Sequence, residues 1–395
     1  MRIGVVLLVV LLGPSCLLGA VIHVPSDQPN IQAALAVAAE CDTIMLASGT
    51  YTGAENHGFV VSLHCLTIMS ESGAEATVLE LEGDNFIGPD LTDWEALANI
   101  HVLGLTFHEG DTAVTCGAGA GVIVSHCVFE ENTVGFYAYL FWNGGNIDSC
   151  VFRDNGRGLL LREESYFDVT HNVFVGNNCA IDVSHGGNMN IVSNVIARSI
   201  FAGIWSNTGW GPNTCSHNVI YANGYGIREY SSTNNQFMCN DVYDNFYNYV
   251  NSPDFTGIDG NFSSDPRFCD PTLANGTGVA SNSLLLPQWN ECGELIGDVA
   301  LGCSCCSGHT GDANNSGDDS PTLGDVSALI QAIFINGSCD GVIACLDEAD
   351  VNQSGGMYPT CADLTLGDVS LLIEALFVKA CDPDPCYNDL PLCLW

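Results

Sequence analysis

The sequence predicts a mainly β fold, a stacked parallel β-solenoid that is followed by a small α-helical unit. Two observations lead to this prediction. One short phrase recurs six times in the central part of the chain, and a different repeat occurs twice near the carboxyl end. A near-constant period is typical of solenoids, because one coil cannot bury its own apolar face and must stack on its neighbours.

The central phrase joins a polar residue or Cys, then Cys or Asn, then two residues that are mostly apolar. Its copies are His126–Phe129, Ser149–Phe152, His171–Phe174, Ser193–Ile196, His217–Ile220 and Cys239–Val242. The second residues of successive copies are 22 to 24 positions apart, so each copy marks the same place in the next coil. Four successive Asn at this place predict a ladder of side-chain amides that hydrogen-bond from coil to coil.

The amino-terminal region and the charge predict an exported protein. Residues 1–20 combine one basic residue, a short apolar run and a small-residue end, as in a signal peptide. No later stretch is long and apolar enough to span a membrane. The 8 basic residues stand against 46 acidic ones, a formal net charge of −38. This charge argues against nucleic acid and anionic membranes as partners, and we expect a secreted, extracellular or cell-surface-associated protein.

Cysteine is abundant, with 20 residues in the chain. In an exported protein this number predicts several disulfides, and loss of Cys16 with the signal peptide leaves an odd count. The Cys303–Cys306 segment also suits zinc. Disulfides are favoured there because no second Cys pair or His pair follows at ligand spacing.

The first coil of a solenoid must be covered, since an open end exposes strand edges and core. Residues from about Pro29 to Glu40 predict an amphipathic helix, capped by Ser26, that serves as this lid. Residues Phe86 to Asn99 interrupt the repeat and predict a loop between coils. Gly104 lies 23 residues before Cys127, which predicts that the ladder position extends one coil upstream.

The stretch from Val24 to Tyr51, the Asn repeats and the segments Ser264–Asp270 and Asn290–Gly293 resemble secreted right-handed parallel β-helix proteins of the pectate-lyase-like superfamily. The resemblance covers roughly residues 21–303 and implies a right-handed parallel β-helix with closing coils at its carboxyl end. It does not imply one activity, because that superfamily holds lyases, hydrolases, esterases, epimerases and non-catalytic binders.

The second repeat follows a predicted linker at residues 304–311. Asp312–Gly317 precedes an amphipathic helix at Thr322–Phe334, and Asp350–Gly355 precedes a similar helix at Thr365–Phe377. These units occupy residues 312–380, and a Cys-containing tail covers 381–395. Each loop places oxygen-bearing side chains at alternate positions and glycine at the sixth, which is the EF-hand arrangement for Ca²⁺.

Two loop–helix units without an entering helix resemble the duplicated repeats of type I dockerin modules. The resemblance implies a cohesin-like receptor as a partner. It also implies Ca²⁺ ligands at the matching positions, which are Asp312, Asn314, Ser316, Thr322, Asp325, Asp350, Asn352, Ser354, Thr365 and Asp368. The fifth loop position is Ser rather than Asp and both loops carry extra residues, so Asp318, Asp319 or Asp363 could substitute as ligands. Two Asn/Asp-rich turns without a metal are the simpler alternative.

The two predicted helices carry matching apolar stripes. The stripes consist of Leu329, Ile330, Ile333 and Phe334, and of Leu372, Ile373, Leu376 and Phe377. They could form a docking surface for a receptor. We favour the core between the two helices, since such stripes more often pack inside a small domain.

One outer face of the solenoid is a candidate site. When the coils are aligned on their small residues, Phe136, Leu159, Ile181, Ile204 and Ile227 form an inward stack. Alternation then turns the next residues outward, and these are Tyr137, Leu160, Asp182, Trp205 and Arg228. Two positions further lie Tyr139, Arg162, Ser184, Asn207 and Tyr230. The aromatic members Tyr137, Tyr139, Trp205 and Tyr230 could stack on sugar rings and thus bind a polysaccharide.

Catalysis on this face is a second hypothesis. Glu163 or Glu164 on one coil and Asp182 on the next could reach the separation of about 5 to 9.5 Å that glycoside hydrolysis needs. Arg162 and Arg228 are candidate groups for β-elimination of an acidic polysaccharide, although no lyase motif surrounds them. The sequence therefore leaves three hypotheses: a carbohydrate-binding or accessory protein, a polysaccharide lyase or glycoside hydrolase, and a structural surface protein.

Overall fold

The structure, a computed structural model, describes residues 19–378 except 62, 64, 90–99, 118–120, 140–143, 163–165, 185–188, 208–212, 230–234, 271, 275, 307–309, 315–320, 340 and 357–358. Most of the predicted signal peptide and the whole predicted tail at 381–395 lie outside these residues. The candidate residues Glu163, Glu164, Tyr230 and Ser316 also lie outside them, as do Asp318 and Asp319.

The described strands form three long parallel sheets along one axis, which confirms the predicted parallel β-helix. The first sheet contains Val21–Val24, Thr43–Leu46, Leu66–Ser70, Ile100–Leu103, Val122–Ser125, Gly145–Asp148, Phe167–Thr170, Met189–Val192, Thr214–Ser216 and Gln236–Met238. The second contains Gly49–Tyr51, Thr77–Glu80, Thr106–His108, Val128–Glu130, Val151–Arg153, Val173–Val175, Val195–Ala197, Val219–Tyr221 and Asp241–Tyr243. The third contains Phe59–Val61, Ile87–Pro89, Thr112–Gly117, Val134–Tyr139, Arg157–Arg162, Cys179–Ser184, Ala202–Asn207, Tyr225–Glu229 and Tyr247–Val250.

The amino-terminal helix exists and packs on the first two strands, as a lid should, but it is shorter than predicted. It spans Ile31–Val37, and its cap is Asn30 rather than Ser26. The Asn30 side chain accepts a hydrogen bond from the Ala33 amide at 2.8 Å, which satisfies one free amide of the first turn. The helix stops at Ala38, whose backbone is extended.

The predicted Asn ladder is confirmed. The Nδ2 atoms of Asn172, Asn194, Asn218 and Asn240 each donate to the Oδ1 atom of the Asn in the next coil at 2.9–3.0 Å, and Asn261 ends the row. The residue before each rung, such as His171 or His217, has a positive φ near 55° and makes the corner. These histidines therefore have a structural position in the turn.

A second ladder at the next corner was not predicted. It joins Asn132, Asn155 and Asn177 through amide hydrogen bonds of 3.0–3.1 Å. Each of these residues also follows a residue with positive φ, as in the first ladder. Between the two ladders a row of buried rings, Phe107, Phe129, Phe152 and Phe174, stacks with centroids 4.6–5.0 Å apart. Both ladders and the rings stabilise the coil stack.

Two local predictions were wrong. Gly104 has a φ of 63° and pairs in register with His126, so it is a corner residue, and Leu105 takes the ladder position. The predicted loop does not begin at Phe86, because Phe86 is fully buried and Ile87–Pro89 form a strand of the third sheet, while residues 90–99 of the predicted loop lie outside the described residues. An apolar residue two positions from a turn can belong to a loop or to a strand, so the interruption of the repeat did not decide between the two.

The carboxyl end of the described chain closes the solenoid and then becomes helical. Two short strands, Gly278–Ala280 and Ala300–Cys303, pair with each other. The later α-helices are Leu323–Ile330, Leu346–Ala349 and Leu366–Ile373, and the first and last continue into π-helical turns at Gln331–Asn336 and Glu374–Val378. Short 3₁₀ turns lie at Ala74–Ala76 and Cys361–Asp363. Apolar side chains between Ala313 and Leu376 pack into a separate cluster.

Disulfides are confirmed and hold this end together. The described pairs are Cys41–Cys65, Cys239–Cys292, Cys269–Cys303, Cys305–Cys345 and Cys339–Cys361. Cys306 is also disulfide-bonded, so all three cysteines of the Cys303–Cys306 segment are oxidised rather than free for zinc. The predicted linker is thus tied to the helical part through Cys305. Nearby, the side-chain amide of Asn282 donates to the Ala344 carbonyl at 3.0 Å.

Candidate functional site

The strand register on the third sheet matches the prediction. Phe136, Leu159, Ile181, Ile204 and Ile227 pair in one inward, buried row. The outward row pairs Tyr137, Leu160, Asp182, Trp205 and Arg228, and the next outward row pairs Tyr139, Arg162 and Ser184, with the backbone of Asn207 next in register. Sequence alternation therefore identified the correct side of the sheet for each residue.

Asp182 is nevertheless not exposed. Only 2% of its surface is accessible, and its carboxylate accepts hydrogen bonds from Arg157 Nε at 2.9 Å and from Ser184 Oγ at 2.6 Å. A carboxylate held by an arginine and a hydroxyl cannot easily exchange a proton with a bound sugar. The structure therefore argues against Asp182 as a catalytic acid or base, and Asp182 instead stabilises the sheet.

The other predicted residues separate into two groups. Tyr137 and Tyr139 lie side by side, with ring centroids 6.5 Å apart. Arg228 lies over the rings of Phe201, Trp205 and Tyr225 at 5.2, 5.9 and 4.9 Å, so its guanidinium is enclosed by aromatic side chains. Tyr137 and Trp205 are three strands apart, roughly 14 Å. Among the predicted catalytic and sugar-binding residues that the structure describes, Tyr137 and Tyr139 therefore lie apart from Trp205 and Arg228.

A groove on the outer face of the first sheet is a better-formed candidate. Its volume is about 580 Å³, and its lining includes five outward residues that pair strand by strand: His101, Ile123, Asn146, Asp168 and Asn190. Tyr166 borders this row and is 42% exposed. Five successive strands give the row a length of roughly 19 Å, enough for an extended chain of sugars.

The groove is polar and carries negative charge. Asp168 is exposed, and its Oδ1 accepts a hydrogen bond from Asn190 Nδ2 at 2.7 Å. Among its described lining residues Asp168 is the one carboxylate, and none is Lys or Arg. His101 lies three strands away from Asp168, again roughly 14 Å. The described lining therefore offers hydrogen bonds and a stacking ring, but no pair of groups for acid–base catalysis.

The sequence contained a signal for this groove that the prediction missed. Asn146, Asp168 and Asn190 occupy the same place in three successive coils, 22 residues apart. The prediction used only the phrase after this strand and the aromatic residues of the third sheet. A row of short polar side chains on an outward position could have been recognised in the same alignment.

The described parts of the two predicted calcium loops are joined to their helices in the same way. Thr322 and Thr365 cap their helices, with capping boxes completed by Asp325 and Asp368. The free carboxylate oxygen of each Asp reaches back to its loop, where it accepts the amide of Asn314 at 3.0 Å or of Asn352 at 2.9 Å. Each loop is therefore closed onto the start of its helix by one acidic residue.

The carboxylates of these loops are buried, since Asp312, Asp325, Asp350 and Asp368 are each at most 3% exposed. Burial raises the pKa of Asp350, although the Gly355 and Ser354 amides that it binds oppose this shift, and the nearby Asp368 charge raises it further. The sequence from 304 to 378 contains no Lys or Arg. Since Lys and Arg are absent from this segment, the buried carboxylates of the loops fit a bound divalent cation, with oxygen ligands that suit Ca²⁺.

The apolar stripes of the two helices divide between core and surface. Leu329 and Leu372 are fully buried in the helical cluster, as favoured. Phe334 and Phe377 are instead 58% and 59% exposed, and Ile330 and Ile373 are also exposed. The favoured assignment of these four side chains to the core was wrong. The carboxyl-terminal ends of the two repeated helices thus present matching apolar side chains to solvent.

Comparison with known proteins gives a partial family match. Residues 81–266, less than half of the 395-residue chain, match the family described as periplasmic copper-binding protein (NosD). No curated protein shows a significant match. Three chains of solved structures match, among them a mutant of AlyGC, an alginate lyase of the PL6 family. That match has 13% identity and a TM-score of 0.36, and it covers 66% of this chain and 38% of the lyase chain.

None of the described helices is long and apolar enough to cross a bilayer.

Proposed function

We propose that this protein is an exported carbohydrate-engaging β-helix that binds an extended polysaccharide along the first-sheet groove. The observation that carries the proposal is the outward row Asn146, Asp168 and Asn190 beside the exposed ring of Tyr166. Amide and carboxylate groups at strand spacing suit the repeated hydroxyls of a sugar chain, and a tyrosine ring suits stacking on a sugar face.

The charge of the groove favours a neutral polysaccharide over a polyuronate. Asp168 lies in the described lining without a basic side chain, and the whole chain carries a formal net charge of −38. A polyuronate would need a cation to overcome this repulsion. The acid–base groups that cleavage requires do not converge in the described lining, so the proposal is binding without cleavage. A lyase or glycoside hydrolase on an outer face, or a structural surface protein, are the alternatives.

The helical part is proposed to anchor the protein. The loops that include Asp312 and Asp350 would each hold a Ca²⁺ ion, which would fix the helices that follow. The exposed pair Phe334 and Phe377 would then face a cohesin-like receptor at a cell surface or scaffold. What supports this part is the burial of the loop carboxylates and the exposure of the two rings.

The family description raises copper binding, and the free thiols in the described part of the chain do not favour it. Cys116, Cys179 and Cys215 are free but buried, and burial raises the pKa of each thiol, to about 12 for Cys215. A thiolate is the form that binds copper, so these residues would be poor ligands. Export to the periplasm or beyond is consistent with the same description.

The test is retention on a panel of insoluble and soluble polysaccharides, with parallel assays for new reducing ends and for unsaturated uronate. We expect retention on a neutral glycan without cleavage products. Asp168→Ala and Asn190→Ala should each reduce retention about tenfold, as expected for loss of a charge-assisted hydrogen bond. Asp111→Ala, which removes an exposed carboxylate outside the groove lining, is the matched control.

The alternatives predict different results in the same assays. Cleavage products would favour the enzyme. No retention on any glycan would favour the structural protein. Retention that depends on Tyr137 or Trp205, but not on Asp168, would place the site on the third sheet.

A further inference from the structure

A corner between the second and third sheets brings imidazoles and carboxylates together, away from both the groove and the calcium loops. This acidic corner consists of His57, Glu80, Glu82, Asp84, His108, Glu109 and Glu131. Ligand atoms of Glu80, His108 and Glu109 all lie within 4.8 Å of one another. Glu109 and Glu131 hold the same corner position in consecutive coils, each with a positive φ that directs the chain around the turn.

The ring of His108 is held in one orientation. Its Nδ1 donates to Glu80 Oε2 at 2.7 Å, which leaves the lone pair of a neutral ring on Nε2. A carboxylate that binds one ring nitrogen while the other faces a metal is the usual support of a metal-binding histidine. The Nε2 atom faces Glu131 Oε2 at 3.8 Å.

The distance between His108 Nε2 and Glu131 Oε2 indicates what could lie between the two atoms, a water molecule or a metal ion. It is too long for a direct hydrogen bond, and a bridging water would place the two atoms roughly 4.6 Å apart. Two bonds of about 2.1 Å to one ion place their ligand atoms about 3 to 4.2 Å apart. The distance of 3.8 Å between His108 and Glu131 falls in this range.

His57 gives a second, independent observation at the same corner. Its side chain is 7% exposed, and neither ring nitrogen has a hydrogen-bond partner among the described residues. Its Nδ1 lies 3.5 Å from Asp84 Oδ2, and its Nε2 lies 3.9 Å from Glu82 Oε2. A buried imidazole without hydrogen bonds is costly. Each separation by itself matches two ligands of one ion, and an ion would bind one of the two ring nitrogens, beside either Asp84 or Glu82.

We propose that the acidic corner binds a divalent transition metal ion of the Zn²⁺ class, with His108, Glu109 and Glu131 as ligands and Glu80 as the positioning residue. One imidazole with two or three carboxylates suits borderline cations of the first transition row better than Ca²⁺, which prefers oxygen alone. Arg153, the basic side chain one coil further along, pairs with Glu130 at 2.9 Å and does not neutralise the corner. His57 with either Asp84 or Glu82 forms a second, weaker position.

The experiment is isothermal titration of tag-free, full-length protein with ZnCl₂, after chelation and return to saturating CaCl₂ so that the helical loops do not compete. We expect at least one Zn²⁺ per chain. His108→Gln should weaken binding at least tenfold, and Glu80→Gln about tenfold, as for loss of a supporting carboxylate. His57→Gln should leave the tighter site intact. His171→Gln is the matched control, because His171 also occupies a corner and pairs with Asp148.

Copper(II) in place of zinc supplies a spectroscopic measurement on the same variants. The electron paramagnetic resonance spectrum should show coupling to an imidazole nitrogen that disappears in His108→Gln and persists in His171→Gln. Absence of Zn²⁺ binding, or binding unchanged in His108→Gln, would show that the corner is only a network of ion pairs with protonated imidazoles. If His108→Gln fails to fold by circular dichroism, Glu109→Gln with Glu131→Gln makes the same decision.

Discussion

At the scale of single residues, the buried amides show how the coil stack is specified. Asn194 donates to Asn218 at 2.9 Å and to the Val169 carbonyl at 2.8 Å, and its Oδ1 accepts both the amide and the side chain of Asn172. Each rung therefore satisfies main-chain groups at a corner where sheet hydrogen bonding is interrupted. This explains why Asn recurs where the alternation of the strands would also allow an apolar residue.

Replacement of Asn194 should destabilise the β-helix strongly. Asn194→Ala removes the side-chain acceptor of the buried Asn172 main-chain amide and the side-chain donor to the Val169 carbonyl, which should cost about 2 to 4 kcal/mol of unfolding free energy. Asn190→Ala changes an exposed Asn four residues earlier and should cost less than about 0.5 kcal/mol. Urea unfolding followed by circular dichroism measures both. Equal losses would show that the ladder carries no special stability.

Asp241 is a residue whose ionisation should weaken the fold. It is fully buried, takes the place of Val219 in the preceding coil, and accepts the Ser264 amide at 3.0 Å. Burial raises the pKa of Asp241 well above its usual value, and the charge of Asp265 adds to this. The folded state thus binds a proton more tightly than the unfolded state, so stability falls as pH rises from the unfolded pKa, about 3.9, towards the folded one.

Asp241→Asn should remove this pH dependence. The amide keeps an acceptor for Ser264 and needs no proton, so the variant should be more stable than the parent by about 1 to 3 kcal/mol at neutral pH and equal to it near pH 4. Thermal melting at a series of pH values measures the difference. A gap that stays constant with pH would contradict the assignment.

At the scale of elements, each of the two loop–helix units has one carboxylate that caps the helix and also binds the loop. Asp368 caps its helix through the Thr365 amide at 2.7 Å and also holds the Asn352 amide at 2.9 Å. Asp363 caps a short turn through Thr360 in the same way, but it is not buried. Asp363 therefore represents helix capping alone, whereas Asp368 combines capping with a contact to a buried loop.

Calcium should stabilise the helical part, and Asp368→Asn should remove much of that effect. The variant keeps an oxygen for capping but loses a negative charge that the cation would need. Differential scanning calorimetry with Ca²⁺ and with chelator should show a large shift of the helical transition in the parent and a smaller one in Asp368→Asn. Asp363→Asn should shift nearly as much as the parent, and a loss as large as that of Asp368→Asn would make Asp363 a ligand. Identical melting with and without chelator in the parent would refute calcium binding.

At the scale of the whole molecule, charge and covalent links act against each other. A formal net charge of −38 repels itself in the compact state. The disulfides Cys239–Cys292, Cys269–Cys303 and Cys305–Cys345 join the last coils, the closing strands and the helical part in series. They limit how far this repulsion can separate the carboxyl-terminal region from the β-helix.

Screening of this charge should raise stability. In saturating Ca²⁺, raising NaCl from low to physiological ionic strength shortens the Debye length to about 8 Å, which weakens repulsion between exposed carboxylates. We therefore expect the melting temperature of the β-helix to rise with NaCl. Measurement in equal concentrations of choline chloride controls for sodium binding. A fall in melting temperature would mean that ion pairs such as Arg153–Glu130 outweigh the net repulsion.

The sequence by itself determined the parallel β-helix, the ladder at Asn172 to Asn240, the inward and outward sides of the third sheet, and the oxidised Cys303–Cys306 segment. A repeat of 22 to 24 residues imposes these because every coil must satisfy the same hydrogen bonds and bury the same face. Only the tertiary structure decided which outward residues are open. Asp182 is outward but covered and paired with Arg157, whereas Asp168 is outward and exposed in a groove. Alternation assigns a side of the sheet, but burial depends on what neighbouring coils place over that side, which no single repeat encodes.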